Sequence, residues 1–239
     1  MYRNLKARTL LVAAVATLAL ATGASAKQNF LGGLHFNAGF PQGDFKKEIN
    51  KNAYGIGGQF FFAPESNPLA IGVEVGFMNY GNETRKERFS LTIPDVTVDV
   101  TTSNNIVQGL LVGRIRVPKG PIRPYGDAVI GFNYLWTETK IKSNGTTGED
   151  VASSTNKDDG VFVYGGGGGV MFPVYTSKPD KDHPFQVMLD AGLRYLVGGK
   201  AEYLKKGAVI RNDSGVVTYD VSKSKTDMLR LHVGFLVSF

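Results

Sequence analysis

The chain contains no cysteine. That excludes a disulfide scaffold, a thiolate metal site, a cysteine nucleophile and a lipoprotein anchored through an N-terminal cysteine. Histidine is scarce: His35, His183 and His232 are the only three in 239 residues. No His-Glu-x-x-His or other paired-His spacing occurs, so no metal site is expected. No Gly-x-Ser-x-Gly elbow is present either. The run Gly165 to Gly169 is followed by no Lys-Ser/Thr pair and opens no helical pattern, so it is not a phosphate loop. No cofactor is expected.

Concentrated positive charge is also lacking. The net charge is +6, but Arg3, Lys6 and Arg8 lie in a segment expected to be removed. Without those 3, the remaining 24 basic residues face 21 acidic ones, a net of +3. There is no Lys/Arg-rich run of the nucleic-acid-binding kind, so nucleic acid is not an expected partner. A mean hydropathy of −0.10 excludes a polytopic helical membrane protein.

Residues 1–26, MYRNLKARTLLVAAVATLALATGASA, have the three parts of a signal peptide. Arg3, Lys6 and Arg8 make a basic start. Leu10 to Ala21 is apolar except for Thr17, and Ala24-Ser25-Ala26 offers a small-x-small cleavage site. The apolar run is shorter than the roughly 20 residues that a spanning helix needs. The sequence therefore divides into a signal peptide, 1–26, and a single exported domain, 27–239. Asn82, Asn144 and Asn212 head Asn-x-Ser/Thr sequons, which loops rich in Asn, Ser and Thr produce by chance.

What is present is glycine, 30 residues, with 15 Phe and 10 Tyr. After residue 27 no helical period is sustained, whereas period-two alternation recurs in eight segments. These are Asn29 to Phe40, Ala53 to Ala63, Leu69 to Tyr80, Asn105 to Val117, Pro124 to Thr137, Gly160 to Val174, Phe185 to Gly198 and Asp227 to Phe239. The seventh is clear: Val187, Leu189, Ala191, Leu193, Tyr195 and Val197 oppose Gln186, Asp190, Gly192 and Arg194. The fourth is imperfect, because Leu110 and Val112 share the face of Gln108, Arg114 and Arg116. The sixth, which holds the glycine run, is the weakest.

Connections between the segments alternate in length. Pro64 to Pro68, Pro118 to Arg123 and Tyr175 to Pro184 are short. Pro41 to Asn52, Gly81 to Asn104, Glu138 to Asp159 and Gly199 to Thr226 are long and polar. A soluble sandwich has no reason for that rhythm. Backbone groups in lipid must pair internally, so a sheet that spans a membrane must close. The pattern predicts an all-β fold, an eight-stranded antiparallel transmembrane β-barrel with short turns at one end and long loops at the other. The soluble alternative is a lipocalin-like barrel with its apolar face inward. Leu91 to Val100 and Ala208 to Val221 also alternate, so loops two and four are expected to extend as hairpins. Tyr54, Tyr80, Tyr134, Trp136, Tyr164 and Tyr195 recur near segment ends and suit interfacial girdles.

The closing segment LRLHVGFLVSF, ending in Phe239, resembles the terminal strand of bacterial outer-membrane barrels. PIRPYGDAVIGFNY (121–134) and GLRYLVGGKAEYL (192–204) are similar to the fifth strand and to the seventh strand with its following loop in the small eight-stranded barrels of the porin-like, OmpA-barrel-like superfamily. The resemblance implies a bacterial outer-membrane location and Phe239 as a signal read by the barrel assembly machinery. It also implies a chain without the peptidoglycan-binding domain that follows the OmpA barrel. Lipids and lipopolysaccharide are the expected surroundings of a monomer, and the charge cluster ETRKER (83–88) is a candidate contact for lipopolysaccharide phosphates. Outer-membrane lipid-A deacylases carry their Ser and His on the outer wall, whereas His35 and His232 are expected inside, so no enzymatic activity is expected.

The expected inward face carries His35, Glu74, Arg114, Asp127, Asp190, Arg194, Arg230 and His232. A barrel of eight strands is just wide enough for side chains to fill, so these ionisable groups must pair. Position along the strands predicts two groups. One is Glu74, Arg114 and Asp127 on neighbouring strands. The other is Asp190, Arg194, Arg230, His232 and His35 on the strands that close the barrel. The function expected is a structural or interaction role through the long loops. The alternative is a narrow channel for ions or small hydrophobic solutes.

Overall fold

The computed structural model describes residues 29–88, 97–143, 150–177, 185–211 and 217–239; the expected signal peptide lies outside them. Among the described residues there are ten strands: β1 (Phe30–Pro41), β2 (Ala53–Phe62), β3 (Leu69–Arg88), β4 (Thr97–Arg116), β5 (Arg123–Ser143), β6 (Asp150–Thr176), β7 (Gln186–Gly198), β8 (Lys200–Arg211), β9 (Val217–Lys225) and β10 (Met228–Ser238). Eight of them close into a barrel in the order β1-β10-β7-β6-β5-β4-β3-β2, and β8 and β9 form a separate two-stranded sheet. The seam between the first and last barrel strands is antiparallel, Leu31 opposite Ser238 through Pro41 opposite Met228.

Alternation decides which side chain goes where. Leu34 is 76% exposed on the outer wall and its neighbour His35 only 4% inside. Ile56, Leu69, Ile71, Val73, Ile130, Phe132, Val233 and Phe235 all project outward. Gln59, Glu74, Gln108, Arg114, Asp127, Asn133, Asp190, Arg194, Arg230 and His232 are all buried. A soluble lipocalin-like barrel would have the opposite sense. An apolar outer wall is what a lipid environment requires.

Leu110 and Val112, which spoiled the alternation of β4, are buried in an apolar cluster. Its members near the short turns are Leu31, Phe61, Ala63, Ala70, Met171, Met188 and Leu236. A second apolar cluster closes the other end, where Met78, Tyr80, Ile106, Leu135 and Met228 meet Phe45 and Tyr203 from the loops.

Those two aromatic residues explain how the long loops seal the mouth. The first loop folds into a seven-residue helix, α1 (Gly43–Ile49), which inserts Phe45 at 0% exposure. Asn50, in the left-handed conformation (φ 46°), ends the helix, and its N–H bonds the carbonyl of Lys46. The hairpin β8–β9 begins at Lys200, earlier than its sequence alternation suggested, and pairs Lys200 with Lys225 through Arg211 with Val217. Tyr203 on β8 meets Phe45 edge-on at 5.3 Å.

The barrel strands β3 to β6 are much longer than the alternation implied. β3 pairs with β4 as far as Arg88 opposite Thr97, and β5 with β6 as far as Lys142 opposite Asp150. A polar ladder needs no apolar alternation once it leaves the hydrocarbon, so apart from Leu91 to Val100, whose alternation predicts the second-loop hairpin, these extensions carry no period-two hydropathy. The second-loop hairpin is thus a continuation of the wall as far as Arg88 and Thr97; residues 89–96 lie outside the described residues.

Candidate functional site

The polar interior is assembled from strands all around the barrel. Arg194 on β7 donates from Nη2 to Asp127 Oδ2 at 2.6 Å and from Nη1 to Glu74 Oε2 at 2.6 Å. Arg114 on β4 grips the same Asp127 from Nε at 2.7 Å and Nη2 at 2.9 Å, a two-pronged pair. Its guanidinium also lies over the rings of Tyr125 at 3.7 Å and Phe61 at 4.4 Å. Arg230 on β10 approaches Glu74 Oε1 with Nη2 at 2.5 Å. A further donation runs from Arg230 to Gln108, whose amide in turn donates to Asn133 at 2.7 Å.

Asp190 has a different kind of surrounding. It accepts from Tyr125 Oη at 2.7 Å and from Gln59 Nε2 at 2.7 Å. His232 Nε2 lies 3.5 Å from its carboxylate and 3.0 Å from Tyr125 Oη. His35 Nε2 stands 3.5 Å from Glu74, and the two imidazole rings are 5.5 Å apart. Glu74, Asp127 and Asp190 therefore share the layer with Arg114, Arg194 and Arg230, so the formal charges balance when both histidines are neutral.

All eight interior residues singled out in the sequence are buried, but their grouping differs from the expected one. Arg194 spans both supposed groups by holding Asp127 and Glu74 together, and Glu74 pairs with Arg194 and Arg230 rather than with Arg114. Distance along each strand could not show this, because tilt and stagger set the level at which side chains meet. Sequence reading also missed Tyr125 and Gln59. The available signal was parity: Tyr125 shares a face with Asp127, and Gln59 pairs directly with Glu74.

The glycine run makes the layer possible. Register puts Gly167 of β6 opposite Asp127 on one side and Arg194 on the other. Gly165, Gly167 and Gly169 face inward, and a Cβ at any of them would run into a backbone carbonyl of β7. β6 thus presents no side chain to the lumen at the level where Arg194 meets Asp127.

At the membrane-facing rim, Tyr54, Tyr134, Tyr164 and Tyr195 are 45–52% exposed on the outer wall. Tyr80 does not belong with them. It shares the parity of Glu74 and is 1% exposed inside the mouth, 6.1 Å from Phe45. Phe239 lies on the outer surface at the opposite end, 6.3 Å from Phe30 and 6.4 Å from Phe60. The ETRKER cluster runs up β3 beyond the girdle, opposite Thr102 to Thr97 of β4. On the loop side, Glu202 of β8 lies between Lys157 at 2.8 Å and Lys223 at 3.1 Å. The hydrogen bond from Lys157, followed by that from Lys223, holds its carboxyl below the usual range.

Three solved structures are similar to this chain. Neisserial surface protein A is 15% identical, with 90% of this chain and 100% of that one covered, at a TM-score of 0.39. A major outer membrane protein from Thermus thermophilus is 12% identical, with 88% and 99% covered, at 0.41. Ail, the attachment invasion locus protein of Yersinia pestis, crystallised with the heparin analogue sucrose octasulfate, is 15% identical, with 90% and 100% covered, at 0.33. No curated protein matches the chain. The family model for the outer membrane protein beta-barrel domain matches residues 9–203, and the chain belongs to that family, a β-barrel of the bacterial outer membrane.

Proposed function

We propose that this protein is a sealed, non-catalytic outer-membrane barrel that acts through the segments beyond its long-loop rim. The interior polar network of His35, Glu74, Arg114, Asp127, Asp190, Arg194, Arg230 and His232 is read as a plug that keeps the wall rigid. The observation that carries the reading is the stacking of three fillings in one narrow lumen. An apolar cluster lies at the short-turn end, the ionic layer above it, and the Phe45–Tyr80–Tyr203 stopper at the mouth. An ion crossing that path would have to break buried charge pairs.

In this reading the short turns are periplasmic and the long loops extracellular. The β3–β6 extensions and the β8–β9 hairpin meet the lipopolysaccharide layer or surfaces outside the cell. The protein works as a monomer, and Phe239 is the terminal signal by which the assembly machinery receives it. The test is conductance in planar lipid bilayers. No stable single-channel steps are expected from the refolded barrel, and regular steps would replace this reading with the narrow channel.

A further inference from the structure

Where β3 to β6 continue past the rim, the aromatic girdle of the outer wall gives way to a polar row. Strand pairing sets Phe77, Val107, Tyr134 and Gly160 side by side across these four strands. One outward position nearer the long loops, about 7 Å along each strand, the row is Asn79, Asn105, Trp136 and Asp158. Residues directly opposite in antiparallel strands share a face, so two amides, an indole and a carboxylate stand together on the outer wall. Trp136 is the one tryptophan of the chain. Its ring is half-buried and packs on Phe77 at 5.9 Å and on Tyr134 at 5.7 Å.

Two bulges flank the row. The first, at Tyr80, turns that ring into the mouth and brings Asn82 onto the outer face beside Asn79. The second, at Asn156 of β6, falls where the pairing passes from Thr137 with Lys157 to Glu138 with Thr155. Asn79 is held from three sides. Its Nδ2 donates to Asn82 Oδ1 and to Asn105 Oδ1, both at 3.0 Å, and its Oδ1 accepts from the Gly81 N–H at 3.2 Å. Asn105 is 6% exposed, and its own Nδ2 reaches only the Ser103 carbonyl, at 3.5 Å. Tyr134 Oη donates to Asp158 Oδ2 at 2.8 Å, and the other Asp158 oxygen has no partner among the described residues. The network fixes the polar groups around Trp136 and leaves donors and an acceptor unused.

An aromatic ring edged by amides and a carboxylate matches a sugar, because a pyranose offers an apolar C–H face and a rim of hydroxyls that both donate and accept. Phosphate finds no partner there. Neither this row nor the next one up, Asn82, Ser103, Glu138 and Thr155, contains a lysine or arginine. Lys140, two residues further along β5, lies 3.8 Å from Glu138. We propose that Trp136, with Asn82, Asn105 and Asp158, is a stacking site for an uncharged pyranose ring in the saccharide headgroup of the outer-leaflet glycolipid. The girdle beneath it puts the site at headgroup level, within reach of a membrane glycolipid. This rests on the extracellular placement of the long loops, and it gives the glycolipid a contact that needs no cation.

Because Trp136 stands alone, its fluorescence reports the site. The full mature chain in nanodiscs of zwitterionic phospholipid is titrated with core-bearing lipopolysaccharide, or with the lipid A left after mild acid removes the sugars. Wild type should bind the core-bearing form about tenfold more tightly, as one stacked ring and one hydrogen bond to a charged group provide. Acrylamide should quench Trp136 less in that complex. Asp158→Ala with Asn82→Ala should abolish the preference, and Lys86→Gln, in the ETRKER cluster, should leave it intact. Heat-modifiable migration checks that each variant is folded. Equal binding and equal quenching with lipid A would reduce Trp136 to a girdle residue and overturn the proposal, and so would an unchanged preference in the double variant. Equally tight binding of the released core oligosaccharide would overturn the assignment to a membrane glycolipid. Proteolysis of intact cells confined to the short turns would instead overturn the orientation and leave this preference standing.

Discussion

Arg194 on β7 reaches Asp127 on β5 across an intervening strand, and the residue of β6 that lies in register between them is Gly167. The contact is 2.6 Å long and wholly buried. This salt bridge spans a strand that packs its backbone directly against β7 at that level. Gly167→Val should destabilise the barrel by about 2–3 kcal/mol, since the new side chain meets the Leu193 carbonyl and the Arg194 backbone. Urea titration of the refolded protein in detergent reads this directly. A change no larger than that of Gly160→Val, where a Cβ has open space, would mean that the close packing at β6 is unimportant.

The two arginines on Asp127 should not be equal. Arg194→Ala takes one of two arginine partners from both Glu74 and Asp127, leaving Arg230 on the first and Arg114 on the second, and is expected to cost ~4 kcal/mol. Arg114→Ala leaves Asp127 still held by Arg194, so about 2 kcal/mol is expected, from the lost charged hydrogen bonds. The same urea titration ranks them. The reverse order would show that Arg114, not Arg194, is the hub.

Phe239 should behave differently in vitro and in cells. Its ring packs on Phe30 and Phe60 beside the seam, over Gly32, so Phe239→Ser should lower stability in detergent by about 1–2 kcal/mol. A terminal assembly signal adds a second effect, a sharp fall in surface-exposed, heat-modifiable protein in cells with unfolded chains accumulating in the periplasm. Normal cellular levels of that variant would remove the signal role and leave only the packing.

The hairpin over the mouth should loosen in acid. The Glu202 carboxyl is depressed by Lys157 and Lys223. Its contribution is therefore full above the unfolded carboxylate value of ~4.3 and is lost as pH falls through the lower folded value. Lys157 is raised by the same pairing, so its contribution holds below ~10.4 and is lost as pH rises through the higher folded value. The protection factor of the Glu202 amide, whose N–H bonds Asp159 at 2.8 Å, should be largest between those limits. In Glu202→Gln the acid dependence should disappear.

Topology can be checked on intact cells. External protease should cut within 81–104, 138–159 or 199–226 and spare 64–68 and 118–123. Cuts confined to the short turns would invert the barrel in the membrane.

The eight spans were legible in the sequence because lipid imposes a rule on every second residue. From Leu229 to Phe235 the outward positions must be apolar, and the inward ones are free to be Arg230, His232 and Gly234. That alternation located each membrane segment and the burial of each charged residue. The girdle expectation fails for Tyr80, which has the parity of Glu74 and lies inside. Where the rule lapses, so does the signal. The upper parts of β3 to β6 rise above the lipid, where no rule forces the outward positions to be apolar, so outside Leu91 to Val100 their strand pairing is not marked by alternation.

By itself, the sequence determined the fold class, the lipid-facing wall and the charges that must be hidden from lipid, because each follows from local alternation along a strand. The tertiary structure decided which hidden charges meet. Arg194 finds Asp127 and Glu74, and Phe45 and Tyr203 close the mouth, through strand tilt and register. Those are properties of the closed sheet, since a partner across the lumen is set by the stagger of all eight strands together and by no spacing within any one of them.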